Sequence, residues 1–319
     1  MRILVAPLNW GLGHASRCIP LIHQWLNEGN QVVLGGDGES LMLLRKHFPK
    51  LPYVELAPLH LRYSKSGRQV GAMLIALPKL IRFAIRDHWR LRILLCKEHF
   101  DRVVSDNRFG LYNHRTECVY MTHQLQIRLP KGLRGLEPIA AKFHAHVCAK
   151  YNKVWVPDFE DEQQSLAGWL SHPTKGRYGY IEYIGPLSRF AGSAGRTEEK
   201  PTYSVVAVLS GLEPQRTLLE QEIINRYIGQ KQSVLIVQGL LSRPATSMKR
   251  KNITLIPYMD DNRLAQHMMQ AERIVARSGY STIMDLYVLG VLGKAELIPT
   301  PGQSEQEYLA DRTFQRNLQ

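Results

Sequence analysis

Cysteine is scarce in this 319-residue chain: Cys18, Cys96, Cys118 and Cys148 lie far apart and form no CxxC or Cys/His ligand spacing. That excludes a disulfide framework and a zinc site of the usual kinds and fits a reducing compartment. No run approaches the length of about 18 uninterrupted apolar residues that spans a bilayer. An apolar strand begins at Arg2, with no signal peptide ahead of it, so a cytoplasmic location is expected. The dinucleotide fingerprint is missing, because Gly11-Leu12-Gly13-His14-Ala15-Ser16 has no third glycine. No Gly-Lys-Ser/Thr phosphate loop and no solenoid repeat occurs, and Asp260 and Asp261 are adjacent rather than spaced as Asp-x-Asp. A net charge of +13 favours an anionic partner, yet no aromatic–basic stripe accompanies it, so nucleic acid is not expected.

What the chain does have is rhythm. Short apolar runs alternate with helical periodicity, the pattern of βα units on parallel sheets. Strands are expected at Ile3–Pro7, Gln31–Gly35, Val54–Ala57, Arg102–Ser105, Cys118–Thr122 and Lys153–Val156. A second series falls at Ser204–Leu209, Ser233–Gln238, Ile253–Pro257, Arg273–Ala276 and Ala295–Pro299. Between them, residues 188–203 are small, charged and nearly free of large aliphatics, as a linker would be. The expected fold is therefore α/β with two Rossmann-like parallel-sheet lobes facing across a cleft, residues 1–187 and 204–319.

In such folds chemistry collects beyond the carboxyl ends of the strands. The first strand runs into Gly11 and Gly13, which allow close backbone approach, then His14, Ser16 and Arg17. Ser16 can cap the helix that follows. His14 could deprotonate a hydroxyl or merely hydrogen-bond its loop. On the same rim lie Asp106, able to orient His14 or bind acceptor, Arg108, able to hold an anion, and His123. In the second half Ser210 and Gly211, with Arg216 nearby, suit a diphosphate, and Tyr258 could flank a flat base. Two turn clusters open helices there: Arg277, Ser278, Gly279, Tyr280, Ser281 and Thr282, then Gly302, Gln303, Glu305 and Gln306. Their helix-start amides favour anions, while Asp285 and Glu305 could accept sugar hydroxyl protons.

One segment stands apart. From Leu77 to Lys97, apolar Leu80, Ile81, Ala84, Ile85, Trp89 and Ile93 alternate with Arg82, Arg86 and Arg90 at four-residue spacing. With Arg62, Lys65 and Arg68 upstream, this could lie peripherally on an anionic membrane, or pack on its own sheet with a solvated basic face.

Together these residues resemble the GT-B nucleotide-sugar glycosyltransferases, and within them the MurG-like, family 28 group. Arg277-Ser278-Gly279 with Thr282 and Asp285 is similar to that group's donor-site helix, in which an acidic residue binds ribose. Asp285 stands where a glutamate is usual. Gln306 is similar to a glutamine on the donor sugar, while Glu307 replaces a second one. Gly11, Gly13 and His14 are similar to the first glycine-rich loop beside the reaction centre. Ser210-Gly211 is similar to the diphosphate loop without its fuller glycine run. The resemblance implies transfer of a hexose or N-acetylhexosamine from a UDP-sugar to a lipid-linked or glycan acceptor, with inversion and without an obligatory metal or other cofactor. It implies His14 as base with Asp106, donor contacts from the second half, and acceptor-side roles for Gly11, Gly13, Arg17, Arg108 and His123. GT-B chains usually end in a helix that latches back on the first lobe; Asp311–Gln319 promises only a fragment of it. Alternatives are a non-catalytic UDP-sugar-binding, membrane-associated protein and, less favoured, a UDP-sugar epimerase.

Overall fold

The computed structural model describes residues 1–59, 69–173, 178–193 and 202–317. Arg62, Lys65 and Arg68 lie outside the described residues, as do 194–201 of the expected linker. The first sheet contains β1 (Arg2–Pro7), β2 (Gln31–Gly36), β3 (Tyr53–Glu55), β4 (Arg102–Asp106), β5 (Glu117–Met121), β6 (Lys153–Val156) and β7 (Ile181–Tyr183). All its pairings are parallel, in the order β3-β2-β1-β4-β5-β6-β7. Helices α1 (Gly13–Asn27), α2 (Gly38–His47), α3 (Gln69–Lys97) and α4 (Glu137–Cys148) accompany it. Both faces are covered, which is why β1 reads as a continuous apolar run instead of an alternating one and why β4 is buried from Val103 to Asp106.

The second sheet contains β8 (Val205–Val208), β9 (Val234–Val237), β10 (Met248–Arg250), β11 (Ile253–Ile256), β12 (Arg273–Arg277) and β13 (Ala295–Ile298), ordered β10-β11-β9-β8-β12-β13. Only β10 is antiparallel among the described strands. Its helices are α5 (Gln215–Tyr227), α6 (Asp261–Gln270), α7 (Tyr280–Val288) and α8 (Ser304–Asn317). Strands β7 and β10 escape the sequence pattern because each is three residues long, and β10 is an exposed edge without an apolar face.

Strand order reverses between β1 and β4 in one sheet and between β8 and β12 in the other. Each reversal leaves a crevice at the carboxyl ends, and the two crevices face each other. One apolar cluster runs through the boundary, joining Val5, Ala15 and Ile19 to Leu187, Phe190, Tyr280 and Ile283. Helix α8 also crosses it: Arg312 and Arg316 donate to the carbonyl of Ser165 at 2.8 and 3.3 Å, and Tyr308 Oη accepts the Trp169 N–H at 3.0 Å. Of the polar segment expected as a fragment of a latch, the described residues 311–317 are the end of a 14-residue helix that grips the first lobe through arginine-to-carbonyl bonds, and 318–319 lie outside the described residues.

Candidate active site

At the end of β4 the backbone turns sharply. Asn107 adopts φ +57, a left-handed conformation that Asn tolerates better than most residues. Tyr120 Oη donates to its side chain at 3.1 Å. The turn sends Asp106 and Arg108 in opposite directions. Asp106 meets α1, where Arg17 grips it with a fork: Nε reaches Oδ2 at 2.7 Å and a terminal nitrogen bonds Oδ1. His14 Nδ1 lies 2.9 Å from the same Oδ1.

Burial alone would raise the Asp106 carboxyl, but Arg17 and His14 override it and hold it at about 2. Nδ1 stands between Oδ1 and Arg17 Nη2, which is 3.0 Å away, so it can donate to the carboxylate or accept from the guanidinium. The carboxylate contact is the shorter, and in the tautomer that donates to it Nε2 is left as the acceptor. Nε2 has no partner among the described residues, and the side chain keeps 17% exposure. A buried carboxylate thus orients a histidine whose basic nitrogen faces the cleft.

Across the cleft, α7 begins at Gly279 with no side-chain cap. The N–H groups of its first turn have no intrahelical acceptor and present partial positive charge. This helix start meets the start of α1. Ser281 Oγ donates to the carbonyl of Gly13 at 2.9 Å, and a Cβ on Gly13 would stand 2.9 Å from that oxygen. Gly11 faces Gly211, whose Cα would lie 3.6 Å from a Cβ there. These glycines let two backbones approach, rather than shaping an acceptor pocket. Ser16 does not cap α1: the helix already starts at Gly13, and Ser16 Oγ bonds back to its carbonyl at 3.0 Å.

Several expected ligand contacts are redirected. Arg108 is fully buried, with Nε and Nη2 on Asp87, Nη1 on Asp37 and Nη2 also on the Ala57 carbonyl, all within 2.9 Å. Its charge is matched by two carboxylates, so it holds the first lobe together instead of an acceptor anion. Arg216 is paired with Glu213 and Glu220 at 2.6 and 2.7 Å and has no charge to spare for a diphosphate. The Arg277 guanidinium is spread over the carbonyls of Pro299 and Gln215, at 3.0 and 2.9 Å, and ties β12 to neighbouring loops. Tyr258 is buried beneath Lys46, whose Nζ lies 3.6 Å from the ring centroid, and is not an open platform.

Asp285 points at the linker. Ser188 Oγ donates to it at 2.6 Å and Arg189 stands at 3.8 Å. Burial raises its carboxyl to about 6 despite those partners. Gln306 uses Oε1 on the Thr300 N–H at 2.8 Å, and its backbone carbonyl accepts from Ser278 Oγ at 2.7 Å. Gly302, Gln303 and Ser210 line the neighbouring turns and Thr282 the first turn of α7, all at intermediate exposure.

Arg17 and His123 are buried, at 1% and 5% exposure, so neither presents an acceptor-side surface. Spacing hides their pairing, since Arg17 and Asp106 are 89 residues apart and His123 and Glu305 182. A charged residue one helical turn beyond a loop histidine, matched to an acid at a later strand end, is the only signal that could have suggested it.

Along α3 the packed stripe is Phe83, Asp87 and Leu91. Ile81, Ile85, Trp89 and Ile93, each about half exposed, form an outward row beside exposed Arg82, Arg86 and Arg90. Part of the apolar periodicity therefore faces solvent rather than the sheet. No helix among the described residues is long and apolar enough to cross a membrane.

No family model matches the chain. An uncharacterized glycosyltransferase of Methanosarcina acetivorans is 24% identical over 96% of this chain and 82% of that protein. Among solved structures, Arabidopsis thaliana UGT89C1 complexed with UDP-L-rhamnose is 14% identical, with a TM-score of 0.57 over 98% of this chain and 82% of that one. Acinetobacter baumannii MurG is 12% identical, with a TM-score of 0.52 over 97% and 82%. At such identities the structural likeness shows the fold, and that fold is the two-lobed GT-B architecture of glycosyltransferases.

Proposed function

We propose that the chain is a glycosyltransferase that moves a hexose or N-acetylhexosamine from a UDP-sugar to an acceptor hydroxyl by single displacement. The observation that carries this reading is the His14–Asp106 pair facing an uncapped helix start across the cleft. His14 Nε2 takes the proton of the acceptor hydroxyl as its oxygen bonds the anomeric carbon. The bond from that carbon to the diphosphate oxygen breaks on the opposite face, giving inversion, and UDP departs with the electron pair. Amides of Gly279 to Thr282 receive the growing negative charge without reorganising. Asp285 exchanges the Ser188 hydroxyl for a ribose hydroxyl, a like-for-like replacement, while Gln303, Glu305 and Gln306 border the sugar. The glycosyltransferase name of the Methanosarcina relative supports the activity, and the MurG likeness is compatible with a lipid-linked acceptor.

Release of UDP from a panel of UDP-sugars, with and without lipid and glycan acceptors, tests this. Acceptor-dependent release is expected. Conversion of the UDP-sugar alone would support an epimerase instead, a class also represented among chains of this fold. Binding with neither outcome would leave a non-catalytic sugar-nucleotide protein.

A second observation favours peripheral attachment at the cytoplasmic face of a membrane. On α3 the exposed row Ile81, Ile85, Trp89 and Ile93 runs beside Arg82, Arg86 and Arg90. The only acid of 78–97, Asp87, is buried against Arg108. Such a face offers apolar insertion plus attraction to anionic headgroups. Sedimentation with anionic vesicles should be salt-sensitive and fall when the three arginines become glutamine. Equal binding to neutral vesicles would refute the electrostatic part.

A further inference from the structure

Glu305 stands in the first turn of α8 in the second lobe, yet its Oε1 lies 2.7 Å from His123 Nε2 in the first. On the ring's other side Arg17 Nη1 approaches Nδ1 at 3.3 Å. An arginine only donates, so Nδ1 accepts and the ring proton sits on Nε2, directed at Glu305. His123 is thereby neutral with one tautomer fixed. Burial lowers its proton affinity in the same sense, against the pull of Glu305. Its face stacks on Tyr280 of α7 at 4.2 Å and 10°, and Tyr280 Oη donates to the Pro157 carbonyl at 2.8 Å. The second lobe therefore holds His123 twice, by an edge and by a face. Beyond Arg17 comes Asp106, then His14, completing an unbroken chain from α8 to the basic nitrogen. The titratable groups facing Arg17 and His123 are His14, Cys18, Asp106, Tyr280 and Glu305.

Resting on the transfer reading above, we propose that Arg17 and His123 are positioning residues, a clasp through which closure of the second lobe fixes Asp106 against His14. A carboxylate held by an arginine fork at both oxygens cannot rotate, so its Oδ1 stays in line with the His14 Nδ1–H. Arg17 is itself kept in plane by His123, and His123 by Glu305 and Tyr280. When the lobes part, His123 loses both second-lobe contacts and Arg17 its lateral support. The base is then aligned when the cleft is closed over substrates and loosened when water fills it, which limits wasteful hydrolysis of the donor.

The test uses the whole chain. His123→Phe keeps a ring for Tyr280 and removes both nitrogen contacts; His123→Gln restores a donor toward Glu305. His123→Phe should lower kcat about 10- to 100-fold while donor affinity, read by calorimetry with UDP, changes less than about 3-fold. His123→Gln should recover part of kcat, and Arg17→Lys, which keeps charge without the fork, should lower kcat with little change in UDP affinity. In urea unfolding, His123→Phe and Glu305→Gln should be non-additive, a readout independent of the reaction. Unchanged kcat in His123→Phe overturns the proposal. So does an equal loss of UDP affinity, which would make His123 a binding residue. Additive unfolding effects in an active wild type overturn the clasp alone. A wild type inert toward every UDP-sugar, with non-additivity intact, overturns the transfer reading and the positioning role with it.

Discussion

The two halves of the cleft are built on different principles. On the first lobe, side chains crowd together: His14, Arg17, Asp106 and His123 saturate one another with charge-assisted hydrogen bonds in a nearly dry setting. On the second lobe Arg216 is paired with carboxylates and Arg277 spends its terminal nitrogens on carbonyls, and what meets the first lobe is the backbone at the start of α7. One half is suited to moving a proton, which needs a specific atom with a specific partner. The other is suited to holding a diphosphate, which needs several weak donors and no net charge to desolvate. The contrast explains why expected anion-binding arginines, Arg108 and Arg216, prove to be structural. A buried cation is cheapest when its carboxylates are already in place.

The sharpest way to break this division is at His14. His14→Ala should lower kcat about 10²- to 10⁴-fold while UDP affinity, measured by calorimetry, stays within about 3-fold. A comparable loss of affinity would place the histidine in the binding half.

Next comes Asp285, the one second-half carboxylate with a raised proton affinity, about 6 when folded. The folded protein holds this proton more tightly than the unfolded chain. Between about pH 4 and 6 stability therefore falls as pH rises, and it stays lowered above that window. Asp285→Asn, which cannot titrate, should gain on wild type across the same window by up to about 3 kcal/mol in urea unfolding. A gain that shrinks as pH rises would contradict the burial argument. If the ribose takes Asp285 from Ser188, the same variant loses UDP affinity.

A smaller effect separates backbone from side chain on α7. Ser281→Pro removes one first-turn amide in a position where proline suits a helix, and should weaken UDP binding about 10-fold. Ser281→Ala, keeping the amide, should change it less than about 3-fold. The reverse order would assign the site to the hydroxyl.

The smallest expected effect concerns the contact between the halves. Gly13→Ala brings a methyl group against Ser281 Oγ. A loss of kcat of roughly 2- to 5-fold is expected, relieved by Ser281→Ala, since van der Waals overlap with a movable side chain costs little. No relief would mean that the glycine serves its own loop.

The second half of the cleft was the more legible because its signal is local. A strand, a Ser-Gly turn and a helix follow one another within Arg273–Val288, and strand-to-helix geometry alone aims the amides. Side-chain directions did not follow from that pattern. Asp285 turns to Ser188 and Arg277 to carbonyls because burial punishes any polar atom left alone, and the nearest partners come from distant segments. On the first lobe His14 and Asp106 could be named from their places at strand ends. The burial of Arg17 and His123 is not legible there, because periodicity marks which face of a helix is buried without saying that a charged residue completes that face, and His123 lies in a loop. In α3 the same limit worked the other way: Ile81, Ile85 and Trp89 satisfy an amphipathic pattern, yet Phe83, Asp87 and Leu91 are what the sheet covers.

The sequence by itself determined two mainly parallel sheets, all their strands but the short β7 and β10, and the glycine-bearing loops at their carboxyl ends, since these depend on apolar runs and turn residues close together in the chain. Only the tertiary structure decided which ionised groups meet. Those pairings join α1 to β4 and the loop after β5 to α8, and their stability depends on a shared, water-poor enclosure that exists once both lobes are in place.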